Sequence, residues 1–179
     1  MNRTVLEVAL SSTMREWAAE KTENHVKGNS FLKSVDTHHS VLCGYLGEAA
    51  FQHVFPQAKH IDVSKYDFLL GDEKIDVKTW WSNVKPLLSY YVQIPTVDLV
   101  RGAGLYTFTC VLADHSKAFL VGWIECDEFR TSADFRKKGT RRQSHPRITY
   151  TTDCLEMQIL QLKDIRDLIS LEKMLEATP

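Results

Sequence analysis

The sequence predicts a single domain of the α/β (α+β) class, with a central mixed β-sheet flanked by helices. Three observations predict it. Apolar residues recur at helical spacing toward both ends of the chain. Runs rich in β-branched and aromatic residues lie between them, and the tight-turn signal Gly71-Asp72 joins two of those runs. The 179 residues suffice for one sizeable core and are few for two, so one domain is expected over 1–179.

Residues 3–25 carry Val5, Leu6, Ala9, Leu10, Met14, Trp17 and Ala18 at helical spacing and read as the first helix. A polar connection, 28–38, leads to a second helix at about 39–54, closed by Pro56, which has no N–H to extend it. Strands are expected at about 65–70, 74–80 and 88–94. The runs 105–112 and 118–124 pair as a β-hairpin through Ala113-Asp114-His115-Ser116-Lys117. Together, 39–125 make the expected core. Residues 131–147 are polar and basic, include Gly139 and Pro146, and read as a mobile loop. A strand near 155–161 and a helix at 163–176 end the chain. The apolar face of that helix (Ile165, Leu168, Ile169, Leu171, Met174, Leu175) suits either the core or a homodimer.

A content of 44% hydrophobic and 25% charged residues is that of an ordinary soluble globular domain. The formal net charge of -1 excludes a protein that is basic overall, so contact with nucleic acid has to come from a local patch. Cys43, Cys110, Cys126 and Cys154 are scattered, form no CxxC pair and read as reduced, mostly buried thiols without zinc-site spacing. The seven histidines show no zincin, HNH-like or paired-ligand spacing. Phosphate-binding loops of the Walker type and dinucleotide glycine patterns are absent. No window reaches membrane-spanning length, so no membrane partner is expected and a reducing cytoplasm is (the host's, if the chain is phage-encoded).

The chemistry concentrates in Lys65-Tyr66-Asp67-Phe68-Leu69-Leu70-Gly71-Asp72-Glu73-Lys74-Ile75-Asp76-Val77-Lys78. With Gly71-Asp72 as a two-residue turn, Leu70 faces Glu73, Phe68 faces Ile75 and Asp67 lies opposite Asp76. Opposed Cβ atoms stand roughly 4.5–5.5 Å apart. Alternation then puts Lys78 on the face of Asp76, with Phe68, Leu70, Ile75 and Val77 on the other. Two carboxylates about 4 Å apart repel by about 4 kcal/mol at an effective dielectric of 20. A divalent cation removes that penalty, and hard cations prefer oxygen ligands. A third acid, Glu48, sits on the second helix near Gly44 and Gly47, where a small-sided face would let the helix approach the sheet and aim Glu48 at the pair.

A helix bearing Glu48, then Tyr66-Asp67, then Asp76-Val77-Lys78 resembles the PD-(D/E)XK nuclease superfamily, with Tyr66 standing where the name-giving proline would be. The tripeptide alone carries no weight, since Asp72-Glu73-Lys74 also fits. The order and spacing of all four residues carry the resemblance. It covers about 40–80 strongly, extends loosely to about 125, and implies a restriction-endonuclease-like fold. It also implies a Mg²⁺-dependent (or Mn²⁺-dependent) deoxyribonuclease, of the phage or DNA-repair kind. Asp67 and Asp76 would be direct metal ligands, the Val77 carbonyl would complete the shell, and Glu48 would bind directly or through water. Lys78 would orient the attacking water and offset developing charge.

Arg136, Lys137, Lys138, Arg141, Arg142 and Arg147 are the expected DNA phosphate contacts. Gln93 is a lesser candidate to face the carboxylate site from the next strand, and Val97 and Pro95 break the Gln-x-x-x-Tyr helix motif of recombination-type exonucleases, which disfavours that subfamily. Trp80 and Trp81 both read as core. The competing reading is a non-catalytic nuclease-fold module that binds nucleic acid or protein. The charge repulsion built into the acid pair counts against it. A hydrolase of small phosphoesters is the other rival, disfavoured by the extended basic stretch.

Overall fold

A computed structural model of the chain describes residues 5–27, 35–63, 65–99, 102–142 and 149–176. The element order is β1 (Leu6–Ala9), α1 (Ser12–Lys27), α2 (Val35–Val54), β2 (Lys59–Val63), β3 (Tyr66–Leu70), β4 (Glu73–Ser82), β5 (Tyr91–Pro95), β6 (Leu105–Leu112), β7 (Lys117–Glu125), α3 (Cys126–Ser132), β8 (Asp134–Arg136), β9 (Cys154–Gln158) and α4 (Ile165–Glu176). The architecture is α+β with a mixed central sheet, as the pattern predicts. That sheet runs β1-β7-β6-β4-β3-β2, and β4 and β6 are its parallel pair. A smaller antiparallel sheet, β5-β9-β8, was not foreseen.

Alternation along the central strands builds two cores, one on each face. Ile75, Val77, Leu105, Val111 and Leu120 point toward the helices and pack with Ala18, Leu46, Ala50, Phe51, Phe55, Ile165 and Leu168. Tyr106, Phe108, Cys110, Phe119 and Val121 point the other way, against Val92, Ile94 and Met157 of the small sheet and Phe129 of α3. Among the described side chains of α4, the apolar face is therefore spent on the core. Leu171, Met174 and Leu175 lie outside the described side chains.

Four local expectations need correction. The first predicted helix begins as a strand: Val8 and Leu10 are buried on a period of two, and β1 pairs antiparallel with β7 from Leu6↔Leu120 to Ala9↔Lys117. The helix starts only where Ser11 caps it, its Oγ accepting the Met14 N–H at 3.2 Å. The strand expected at 88–94 belongs to the small sheet, paired with β9 in place of the central strands. The basic stretch opens with a strand, not a loop. Its Arg136 donates to the buried Glu156 at 3.1 Å, and the Lys138 N–H donates to Asp153 Oδ1 at 2.7 Å. Residues 143–148, Arg147 included, lie outside the described residues. Finally, Trp81 is 48% exposed, while Trp80 does pack against the second core.

Gly47 sets how closely α2 approaches the sheet. A Cβ there would stand 2.0 Å from Thr79 Oγ1 and 2.9 Å from its Cγ2, whereas Gly44 faces open space. Threonine in a strand has little rotamer freedom to move aside. Gly47→Ala is therefore expected to destabilise the protein by about 1–3 kcal/mol in denaturant titration, despite alanine's better helix propensity. Adding Thr79→Ala should recover most of the loss, since it removes both of the nearer clashing atoms.

Candidate active site

The hairpin has the register derived from Gly71-Asp72: Leu70↔Glu73, Leu69↔Lys74 and Phe68↔Ile75. Gly71 takes the left-handed φ of 60° that its turn position asks for. The β3–β4 ladder then ends, one pair before Asp67 and Asp76, although β4 continues to Ser82 along β6. At that point a side chain replaces the strand. Asp67 Oδ2 accepts the Val77 N–H at 2.7 Å, where a β3 carbonyl would otherwise sit. A strand residue sends its N–H and C=O to the same side, so the Val77 carbonyl points into the gap that Asp67 fills.

Asp76 and Lys78 share one side of β4, and Lys78 Nζ lies 2.8 Å from Asp76 Oδ2 with the ammonium 17% exposed. Asp76 is 4% exposed. The ion pair is close but poorly aligned, and Oδ2 receives no hydrogen bond. Lys78 also stands 6.0 Å over the Tyr106 ring, which walls this side. From the helix side, Glu48 reaches His60 of β2, with Oε2 and Nε2 3.1 Å apart. His60 is the residue that sequence reasoning missed. Its only signal is its place opposite Phe68 in the ladder, beneath the helix that carries Glu48.

Asp67 lies within electrostatic reach of Glu48, Asp76 and Lys78. Burial, then the negative charge of Glu48, then that of Asp76, push the Asp67 carboxyl up to about 8. The Val77 N–H and Lys78 only partly offset this. Lys78 balances one of three carboxylates, and His60 balances a second only when protonated. Asp76 and Lys78 lie on the face of β4 turned away from α2, Glu48 pairs with His60 on the helix side, and Asp67, at the end of the β3–β4 ladder, feels the charges of both Glu48 and Asp76. The arrangement is rich in carboxylate oxygen, and its one ammonium, Lys78, already faces Asp76 Oδ2. Asp67, Asp76, Glu48 and the Val77 carbonyl supply the oxygen atoms here that could serve a hard divalent cation.

The basic residues are partly committed elsewhere. Arg136 bridges Glu156 and Asp134, and Arg142 donates to Gln93 Oε1 at 2.8 Å and lies over the Tyr150 ring. Lys137, Lys138 and Arg141 are exposed. Cys43, Cys110, Cys126 and Cys154 are free and buried, as their spacing suggests. Yet the fold does gather His39, Cys43 and His115 within 4.8 Å of one another, a grouping invisible to spacing rules because His115 comes from the β6–β7 turn. No helix among the described residues is long and apolar enough to cross a membrane. Compared with known protein families and with curated proteins, the sequence matches none.

Proposed function

We propose that the protein is a metal-dependent phosphodiesterase of the PD-(D/E)XK type, acting on DNA. The observation that carries this reading is the electrostatic coupling of the buried Asp67 to Glu48, Asp76 and Lys78 at the end of the β3–β4 ladder, an arrangement costly to the fold without a cation. Mg²⁺ or Mn²⁺ held there would neutralise charge on the scissile phosphate and lower the pKa of a bound water. Glu48 is held in place by His60, and Asp67 by the Val77 N–H, so two of the oxygen donors are oriented before any cation arrives. Lys78 Nζ is fixed by Asp76 and can donate to the attacking water and to the charge that develops at phosphorus. Lys137, Lys138 and Arg141 supply exposed positive charge for the phosphate backbone.

The test is cleavage of linear and circular, single- and double-stranded DNA with Mg²⁺, Mn²⁺ or chelator, beside Asp76→Ala and Lys78→Ala. Metal-dependent cleavage by the unaltered protein alone is the expected result. No cleavage of any substrate would remove the enzymatic reading, and undiminished cleavage by both variants would remove the site.

A further inference from the structure

We propose a second metal site, for a borderline-soft divalent ion such as Zn²⁺, built from His39, Cys43 and His115. It is independent of the carboxylate cluster and of the nuclease reading. His39 and Cys43 lie four residues apart on one face of α2, and His115 enters from the β6–β7 turn. Cys43 Sγ stands 3.6 Å from His39 Nε2 and 4.0 Å from His115 Nε2. Bond lengths of about 2.3 Å to sulfur and 2.0–2.1 Å to nitrogen in a tetrahedral site place such atoms roughly 3.5 Å apart. The two imidazole ring centres are 5.3 Å apart, close to the spacing of two rings that share one ion. The Cys43–His39 pair already has that spacing, and the Cys43–His115 pair needs about half an ångström of closure.

His115 takes a left-handed backbone at φ 57° in the tight β6–β7 turn, where its N–H donates to the Leu112 carbonyl, and the turn brings its ring to Cys43. Both imidazoles face the one thiol, and a metal would use all three groups as ligands. Zinc at His₂Cys leaves a fourth position for water. On binding, the thiol proton passes to solvent and a zinc–thiolate bond forms. Trp81 packs edge-on against His39, its ring centre 5.2 Å away, and covers the cluster's flank. The ion would tie α2 to the β6–β7 turn, five residues before Glu48.

The probe is Co²⁺ added to the reduced, metal-free protein. One equivalent should produce the near-ultraviolet thiolate-to-cobalt absorption, which Zn²⁺ then displaces, and Zn²⁺ should raise the melting temperature. Cys43→Ser should abolish the absorption, and His115→Asn should weaken binding at least tenfold. Asparagine accepts the left-handed backbone, so this variant keeps the turn. Asp76→Asn should leave the signal unchanged, which separates this site from the carboxylates. Absence of the thiolate band, or a band of equal affinity in His115→Asn and His39→Ala, would overturn the proposal.

Discussion

Asp67→Asn will melt at a higher temperature than the unaltered protein at pH 8 in chelator, and the two will converge near pH 4. The carboxyl of Asp67 has an ordinary value of 3.8 and is raised to about 8 by burial, then by Glu48 and Asp76. A raised value means that the folded state holds the proton more tightly than the unfolded chain. The stabilisation is therefore complete below about pH 4 and disappears as pH rises through 8. Each unit corresponds to about 1.4 kcal/mol, so the unaltered protein should lose on the order of 5 kcal/mol across this window. For a chain of this length that is on the order of 10–20 °C. Asparagine has no charge to bury, and its carbonyl still accepts the Val77 N–H. Melting curves at pH 4, 6 and 8 check this. Mg²⁺ or Mn²⁺ should narrow the gap at pH 8, because the cation relieves the repulsion in the unaltered protein. Cleavage should be lost in the variant throughout, so the change that stabilises the apo protein is the one that disables it.

Lys78→Ala should separate chemistry from cation binding. Its ammonium is the near partner of a nearly buried carboxylate, so truncation leaves Asp76 uncompensated and costs about 3 kcal/mol in the absence of metal. A divalent cation should restore most of that stability, since it replaces the missing positive charge. Cleavage should still fall by about 10²–10⁴-fold, because no cation bound by the acids reproduces a donor aimed at the attacking water. Recovery of melting temperature without recovery of turnover is the signature. Recovery of both would show that Lys78 only balances charge.

The hairpin was legible because a two-residue Gly71-Asp72 turn leaves little choice of register, but the ladder stops at Phe68↔Ile75, so the expected Asp67–Asp76 pair does not form and Asp67 accepts the Val77 N–H instead. Gly47 was legible for a similar reason: a glycine within a helix signals close approach, and Thr79 is what it approaches. Gly44 carries the same signal and meets nothing, so composition alone does not tell the two apart. The strand at Leu6–Ala9 was hidden because Val5, Leu6, Val8 and Leu10 satisfy a helical period and a period of two at once. Its pairing with β7 decides the matter, and that contact spans more than a hundred residues. The small sheet was hidden because β5 and β9 pair across about sixty residues of intervening chain. His60, His39 and His115 escaped for the same physical reason. Each gains its partners only through tertiary contact, and no spacing along the chain records that.

The most direct test is a calorimetric titration of Mn²⁺ into the metal-free protein at pH 6, 7 and 8, in a Cys43→Ser background that removes the thiolate site. Binding should tighten as pH rises, with a proton released from Asp67 as the ion enters. It should be lost in both Asp67→Ala and Asp76→Ala. No binding at any pH, or binding that survives both substitutions, would contradict the account.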